Sequence, residues 1–358
     1  MNESWNRSLE CERAKQVLNP HAQALIWAEC VAGMVAVVPN VLLVSTLARV
    51  MVFPSNLRLL LSHFAFVLLY FSVTSVLRGV YYLSTPPCTF SFTQRGCRVF
   101  DLVTQYLAVP NLYMALFTLC IERLVATVRY RTYDKSKRPW LALALIAFTW
   151  LLAFGAYGAD VLALSDHQRV PMCDSIFLPP LSTGYLSLIY LVSEWVAVLI
   201  CLFLYYRSRH VARNMINRAL YDLSSRFLVD QNVQVNTVLL PWVVLHLVCH
   251  LPTLALILLV TVGWRLQLST ETRSYLRQVT VLWRLMYAVV DPLVAFTFNG
   301  PLRQHLDKTW CGPVLKRMGL RLGGNKVGTT PADGAAHFSQ LLQIWVTPAG
   351  THRQANAR

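Results

Sequence analysis

Five stretches of this chain, 31–47, 59–77, 102–121, 140–159 and 233–263, contain no Asp, Glu, Lys or Arg at all. In hydrocarbon every backbone N–H and C=O must be satisfied within the chain, so apolar runs of this length become helices. A transmembrane β-strand would alternate polar and apolar residues at every second position, and these runs do not. Two further stretches, 181–206 and 275–298, are equally apolar but carry isolated charges. Each span needs ~20 residues, so seven spans occupy the chain and leave no room for a second folded domain. The expected fold is all-α: an integral membrane bundle of seven helices, with membrane lipid as its solvent.

Composition agrees. Charged residues make up 14% of the 358 and mean hydropathy is +0.46, whereas a soluble domain carries roughly 25% charged residues. The net charge of +15 does not point to nucleic acid, because no segment outside the apolar runs is long enough to present a basic face. The nine cysteines show no CxxC spacing, which argues against zinc-finger or thioredoxin-like chemistry. Cys30, Cys120, Cys201 and Cys249 sit in apolar runs as small hydrophobes. Cys11, Cys88, Cys97 and Cys173 lie between runs. The first twenty residues are polar, with no signal-peptide pattern, so the first span is expected to act as a signal anchor.

Orientation follows from the basic residues. The segments after spans one, three, five and seven hold twenty Lys and Arg, against eight in the N-terminal tail and the segments after spans two, four and six. Cytoplasmic flanks collect these residues, so the N-terminus is expected outside and the C-terminus in the cytoplasm. The two N-glycosylation sequons, at Asn2 and Asn6, both fall in that outer tail. The resulting division is an extracellular tail over 1–21, the bundle over 22–298, an amphipathic membrane-surface helix over 299–318 and a disordered cytoplasmic tail over 319–358. Cys311 is a candidate lipidation site beside that surface helix.

No HExxH, GxSxG, Walker loop or GxGxxG is present, so no enzyme activity and no cofactor is expected. His246 and His250 stand four apart on one helix face. With no acidic residue near them in the sequence they read as packed side chains, and no metal is expected. Charges inside spans are the informative residues, since each costs ~3 kcal/mol or more unless paired or hydrated. Glu194 lies in span five. Arg277, Arg284 and Asp291 are each seven apart in span seven and share one face, which must look into the bundle. Near the outer ends of spans two and three, Arg78 and Asp101 are equally open to structural roles, Arg78 by snorkelling to the interface.

The inner end of span three reads Ile121-Glu122-Arg123-Leu124, and Cys97 lies 26 residues earlier, ~39 Å along a helix. Span six offers Cys249-His250-Leu251-Pro252 and span seven Asp291-Pro292; Asn40 and Asn56-Leu57 complete the set. In order and spacing these motifs resemble those of rhodopsin-like receptors. Histidine replaces the usual tryptophan before Pro252, Ala295 replaces the expected tyrosine, and span two lacks the sodium-site aspartate. The resemblance implies a disulfide from Cys97 to the second outer loop, where Cys173 lies. Cys88 is the rival partner, and Cys11 is left for the remaining cysteine.

Two loops carry a closer likeness. Glu122-Arg123-Leu124-Val125-Ala126-Thr127 followed by Tyr133-Asp134, and Leu223-Ser224-Ser225-Arg226-Phe227-Leu228-Val229-Asp230-Gln231-Asn232, resemble signatures of nematode serpentine chemoreceptors of the alpha superfamily. That group comprises the alpha, alpha-beta, beta and epsilon classes. Asp134, Phe227, Leu228 and Gln231 depart from its pattern. The resemblance implies a G-protein-coupled chemosensory receptor in the plasma membrane, with a sensory cilium as a candidate site. Its partners would be a heterotrimeric G protein and a small-molecule odorant or pheromone. Polar groups facing an interior cavity orient a ligand, and Asp101, Gln105, Glu194, His250 and Arg284 are the candidates in the outer half. Glu122, Arg123 and Asp230 are the candidates for G-protein coupling. A seven-helix ligand-gated channel subunit and a transporter are the alternatives. The charge bias opposes the inverted topology of the first, and no inverted repeat supports the second.

Overall fold

The computed structural model describes residues 3–49, 53–86, 88–89, 92–129, 139–162, 169–170, 173, 183–217, 239, 242–256, 269–299, 302–303 and 305–306. Its helices are α1 (Glu3–Val17), α2 (Pro20–Arg49), α3 (Ser55–Ser84), α4 (Gln94–Asp101), α5 (Ala108–Val128), α6 (Trp140–Leu162), α7 (Thr183–Asn217), α8 (Trp242–Leu256) and α9 (Thr270–Phe298). A π-helical turn over Leu102–Tyr106 joins α4 to α5. Together they form span three, Gln94–Val128. Six helices are long and apolar enough to cross a membrane, and α8 is a seventh, shorter apolar helix among the described residues. Each of the seven apolar runs thus carries a helix among the described residues.

Their faces are arranged for lipid. On α2, Trp27, Val31, Val35 and Val38 are exposed, while Glu29 and Asn40 on the same helix are fully buried. On α7, Ile189, Val192, Trp195, Val196 and Leu199 are exposed and Glu194 is buried. Apolar side chains outside and charges inside is the arrangement a hydrocarbon solvent selects, because a charge in lipid has no partner.

Helix α2 packs on α3 and α9, and α5 packs on α3, α6 and α7. Small residues let α2 and α3 approach. A Cβ on Gly79 would stand 2.3 Å from the Cys30 sulfur, and one on Gly33 would stand 2.7 Å from Val76, the close-approach device of membrane helices. Asn40 Nδ2 donates to the Ala288 carbonyl at 2.8 Å, clasping α2 to α9. Asn56 accepts from the Ala142 N–H at 3.2 Å, and Trp150 Nε1 donates to His63 at 2.9 Å, both tying α3 to α6. In the π turn the Leu107 N–H goes to the Leu102 carbonyl, five residues back, at 2.9 Å. The Val103 carbonyl this bypasses is taken by the Tyr70 hydroxyl of α3.

The end of the bundle that carries α1 is the one the charge bias expects outside. At the outer end, the segment expected as a tail is the helix α1. Its Ala14, with Leu18 beyond it, packs on Ile26 of α2 and Tyr82 of α3. Disulfides join Cys11 to Cys88 and Cys97 to Cys173, and two-residue strands β1 (Phe92–Thr93) and β2 (Arg169–Val170) pair antiparallel beside the second. At the inner end Asn299 accepts from the Leu302 N–H at 3.2 Å, starting a new helical turn. Most of the expected surface helix, Cys311 and the 319–358 tail lie outside the described residues.

Candidate functional site

At the inner end of α5, Glu122 and Arg123 are both buried, and the carboxylate accepts two hydrogen bonds from the guanidinium, one from Nε and one from an Nη. Charge-assisted bidentate pairs of this kind are the stronger hydrogen bonds. Asp230, the other expected partner of Arg123, lies outside the described residues. Arg123 lines a small cavity of about 40 Å³, shared with Cys120, Cys201, Leu239, Trp242, His246 and Tyr287. None of the five residues expected to hold ligand lines it.

Above that cavity spans three, five, six and seven share a buried polar layer. His246 Nε2 is 3.0 Å from Glu194 Oε1, and its Nδ1 is 2.9 Å from the Tyr287 hydroxyl. Tyr287 donates to Asp291 Oδ1 at 2.9 Å, and Trp242 Nε1 donates to the same oxygen. His250 stacks on His246 at 3.9 Å between ring centroids and meets Tyr113 edge-on at 4.9 Å. Tyr113 stacks on Tyr190, donates to Thr253 at 3.1 Å, and accepts from Arg284 at 3.2 Å. Helical periodicity builds this layer. Residues 242, 246 and 250 share one face of α8, while 284, 287 and 291 share one face of α9.

One layer further out, Arg277 lies 3.4 Å from Asp101, linking α9 to α4, and Gln105 is buried in the π turn. Arg277 and Arg284 are seven residues apart, ~10 Å along the helix, so the two layers are distinct. Beside them Arg78 is fully buried. It donates to Glu29 at 3.0 Å and Gln278 at 3.5 Å, with its guanidinium 5.5 Å from the centre of the Tyr82 ring.

Of the five expected ligand residues, Glu194, His250 and Arg284 therefore share one layer, and Asp101 and Gln105 lie on the turns above. Snorkelling by Arg78 is overturned, because a buried acid from span one holds it inside. The reading of His246 and His250 as lacking an acidic partner is also overturned, since α7 brings Glu194 to hydrogen-bond distance across 52 residues of sequence. Glu29, Tyr113, Trp242 and Tyr287 were missed. The four-residue spacing of Trp242, His246 and His250 is a readable signal for a polar face. Nothing local marks Tyr113, and Glu29 falls in front of the charge-free run. Asn2 lies outside the described residues, and Asn6 falls on α1.

Known proteins resemble this chain over most of its length. Serpentine receptor class alpha/beta-14 of Caenorhabditis elegans is 26% identical over 260 residues, a match covering 69% of this chain and 66% of that protein. The family model for serpentine type 7TM GPCR receptor class ab chemoreceptors matches residues 16–309. With seven apolar helices, a buried Glu-Arg pair ending span three and a match over most of its length, the chain belongs to the class ab serpentine receptors.

Proposed function

We propose that this chain is a plasma-membrane chemosensory receptor that binds a small molecule in the outer half of the bundle and activates a heterotrimeric G protein. The observation that carries this reading is the vertical order of buried polar groups. The Asp101–Arg277 pair lies outermost, the Glu194–His246–Tyr287–Asp291 chain lies below it, and Glu122–Arg123 ends span three. A ligand held by Asp101, Gln105, Glu194, His250 or Arg284 would touch helices that also form the inner cavity. It shifts the inner end only by binding one state more tightly than the other.

In the resting state Glu122 restrains Arg123. A charge-assisted hydrogen bond contributes ~1.5–3 kcal/mol, about 10- to 150-fold in an equilibrium constant. Glu122→Gln should therefore raise ligand-free second-messenger output at least several-fold in a heterologous cell, and Arg123→Ala should silence a response to an odorant panel while ligand binding persists. Wild-type signalling from Arg123→Ala would refute the coupling role. Asp230→Asn tests the second restraint in the same assay.

The proposed orientation places Asn2 and Asn6 in the lumen during insertion. Glycosidase should shift the gel mobility of the microsome-inserted chain, and Asn2→Gln with Asn6→Gln should remove the shift. Glycosylation of a sequon engineered into the 207–226 segment would invert the topology and end the receptor reading.

A further inference from the structure

We propose that Glu194, His246 and His250 form a site for one divalent transition metal ion of the zinc type, tying span five to span six. The inference stands on coordination geometry and does not depend on the receptor reading. One ligand atom from each of the three residues lies within 4.8 Å of the other two, and all three residues are buried. Ligands 2.0–2.1 Å from a tetrahedral zinc stand about 3.3 Å apart. His246 Nε2 and Glu194 Oε1 are already 3.0 Å apart, and a His250 ring nitrogen lies within 4.8 Å of the ligand atoms of the other two. The two imidazoles stand four residues apart on α8 and stack nearly parallel, at 13°.

The hydrogen-bond order argues for a cation between them. Tyr287 gives its proton to Asp291, so its oxygen accepts from His246 Nδ1–H, and in the neutral imidazole Nε2 then carries a lone pair. That lone pair faces a carboxylate oxygen at 3.0 Å, an arrangement that requires a proton or a metal ion between the two atoms. His250 adds the second observation. Neither of its ring nitrogens has a hydrogen-bond partner among the described residues, and neither does Glu194 Oε2. Buried polar atoms without partners are costly, and one metal ion would take up one of the His250 nitrogens and a Glu194 oxygen together. Two imidazoles and one carboxylate suit zinc or copper over calcium or magnesium, and three protein ligands leave a fourth position open. The His246–Tyr287–Asp291 chain is the outer support that metal-bound histidines ordinarily have. His246 also lines the small cavity below the site.

The test uses the purified full-length chain in detergent. After incubation with Zn²⁺ and buffer exchange, elemental analysis should find about one zinc per chain. Co²⁺ in its place should give the intense visible bands of a tetrahedral site. His250→Asn and Glu194→Gln should each abolish both signals with helical circular dichroism unchanged, and Tyr287→Phe should weaken affinity about 10- to 100-fold. His250→Asn decides the matter if Glu194→Gln fails to fold, since it breaks no ring hydrogen bond. The nearby thiols of Cys120 and Cys201, 2.7 Å apart, are the rival soft ligands, and Cys120→Ser with Cys201→Ser should leave binding intact. No retained zinc in the wild type, equal retention in His250→Asn, or loss in the cysteine variant would each overturn the proposal. Signalling plays no part in these readouts, so a failed metal site and a failed receptor reading are told apart.

Discussion

Replacing Arg78 with methionine is expected to destabilise the folded protein by about 3–5 kcal/mol, the usual cost of removing one partner from a buried ion pair. The reason is the state in which it leaves Glu29. Arg78 and Glu29 are both fully buried between α2 and α3, and Gln278 of α9 adds a third helix to the same junction. Without the guanidinium, the Glu29 carboxylate loses a charge-assisted partner while staying fully buried. The double change Glu29→Leu with Arg78→Met removes both charges and should recover most of the loss, because an apolar pair of similar volume is often as stable as a buried ion pair. Thermal melting in detergent and the fraction reaching the cell surface would measure both effects. If Arg78→Met melts with the wild type, the pair does not hold spans one and two together. If the double variant is no better than the single, the loss comes from packing against Tyr82, whose ring the guanidinium faces.

Loss of the Cys97–Cys173 disulfide should be nearly as damaging, at about 2–5 kcal/mol. The bond closes a separation of 76 residues, so its removal restores a large freedom to the unfolded chain. It also releases structure in the folded one. Cys97 and Cys173 are buried with Val170 against Tyr81, Phe92 and Phe100, beside the β1–β2 pair that anchors the second outer loop. Cys173→Ser should therefore lower the melting temperature and loosen the β1–β2 pair, with protease cleavage near Val170 preceding global unfolding. Cys11→Ser is expected to act more locally, since the Cys11–Cys88 bond secures the peripheral α1. Non-reducing peptide mapping would check the pairing, and a Cys88–Cys173 peptide would contradict it. Equal protease resistance in Cys173→Ser and wild type would show that the apolar cluster around Cys97 and Val170 holds without the bond.

The apolar runs determined the number and type of the spans, because backbone hydrogen bonding in lipid permits no other structure for them. The Glu122-Arg123 motif and its distance from Cys97 were also legible, since both depend on one helix and its rise per residue. Charge-free runs located span one less well. They begin at Val31, whereas α2 starts at Pro20, because Glu29 inside the helix is paired and no local rule shows that. The π turn over Leu102–Tyr106 left no mark on the apolar pattern, although its bypassed carbonyl is satisfied by span two. Periodicity placed Arg277, Arg284 and Asp291 on one inward face, and it could not say what each would meet. Asp101 meets Arg277, Tyr113 meets Arg284, and Trp242 meets Asp291, at separations of 176, 171 and 49 residues. Those partners depend on how each helix is rotated and how deep it sits against its neighbours, which the packing of all seven decides at once. His246 and His250 show the division most clearly. Their four-residue spacing is local and readable, whereas the carboxylate that makes them a candidate metal site comes from another helix, and only the folded bundle delivers it.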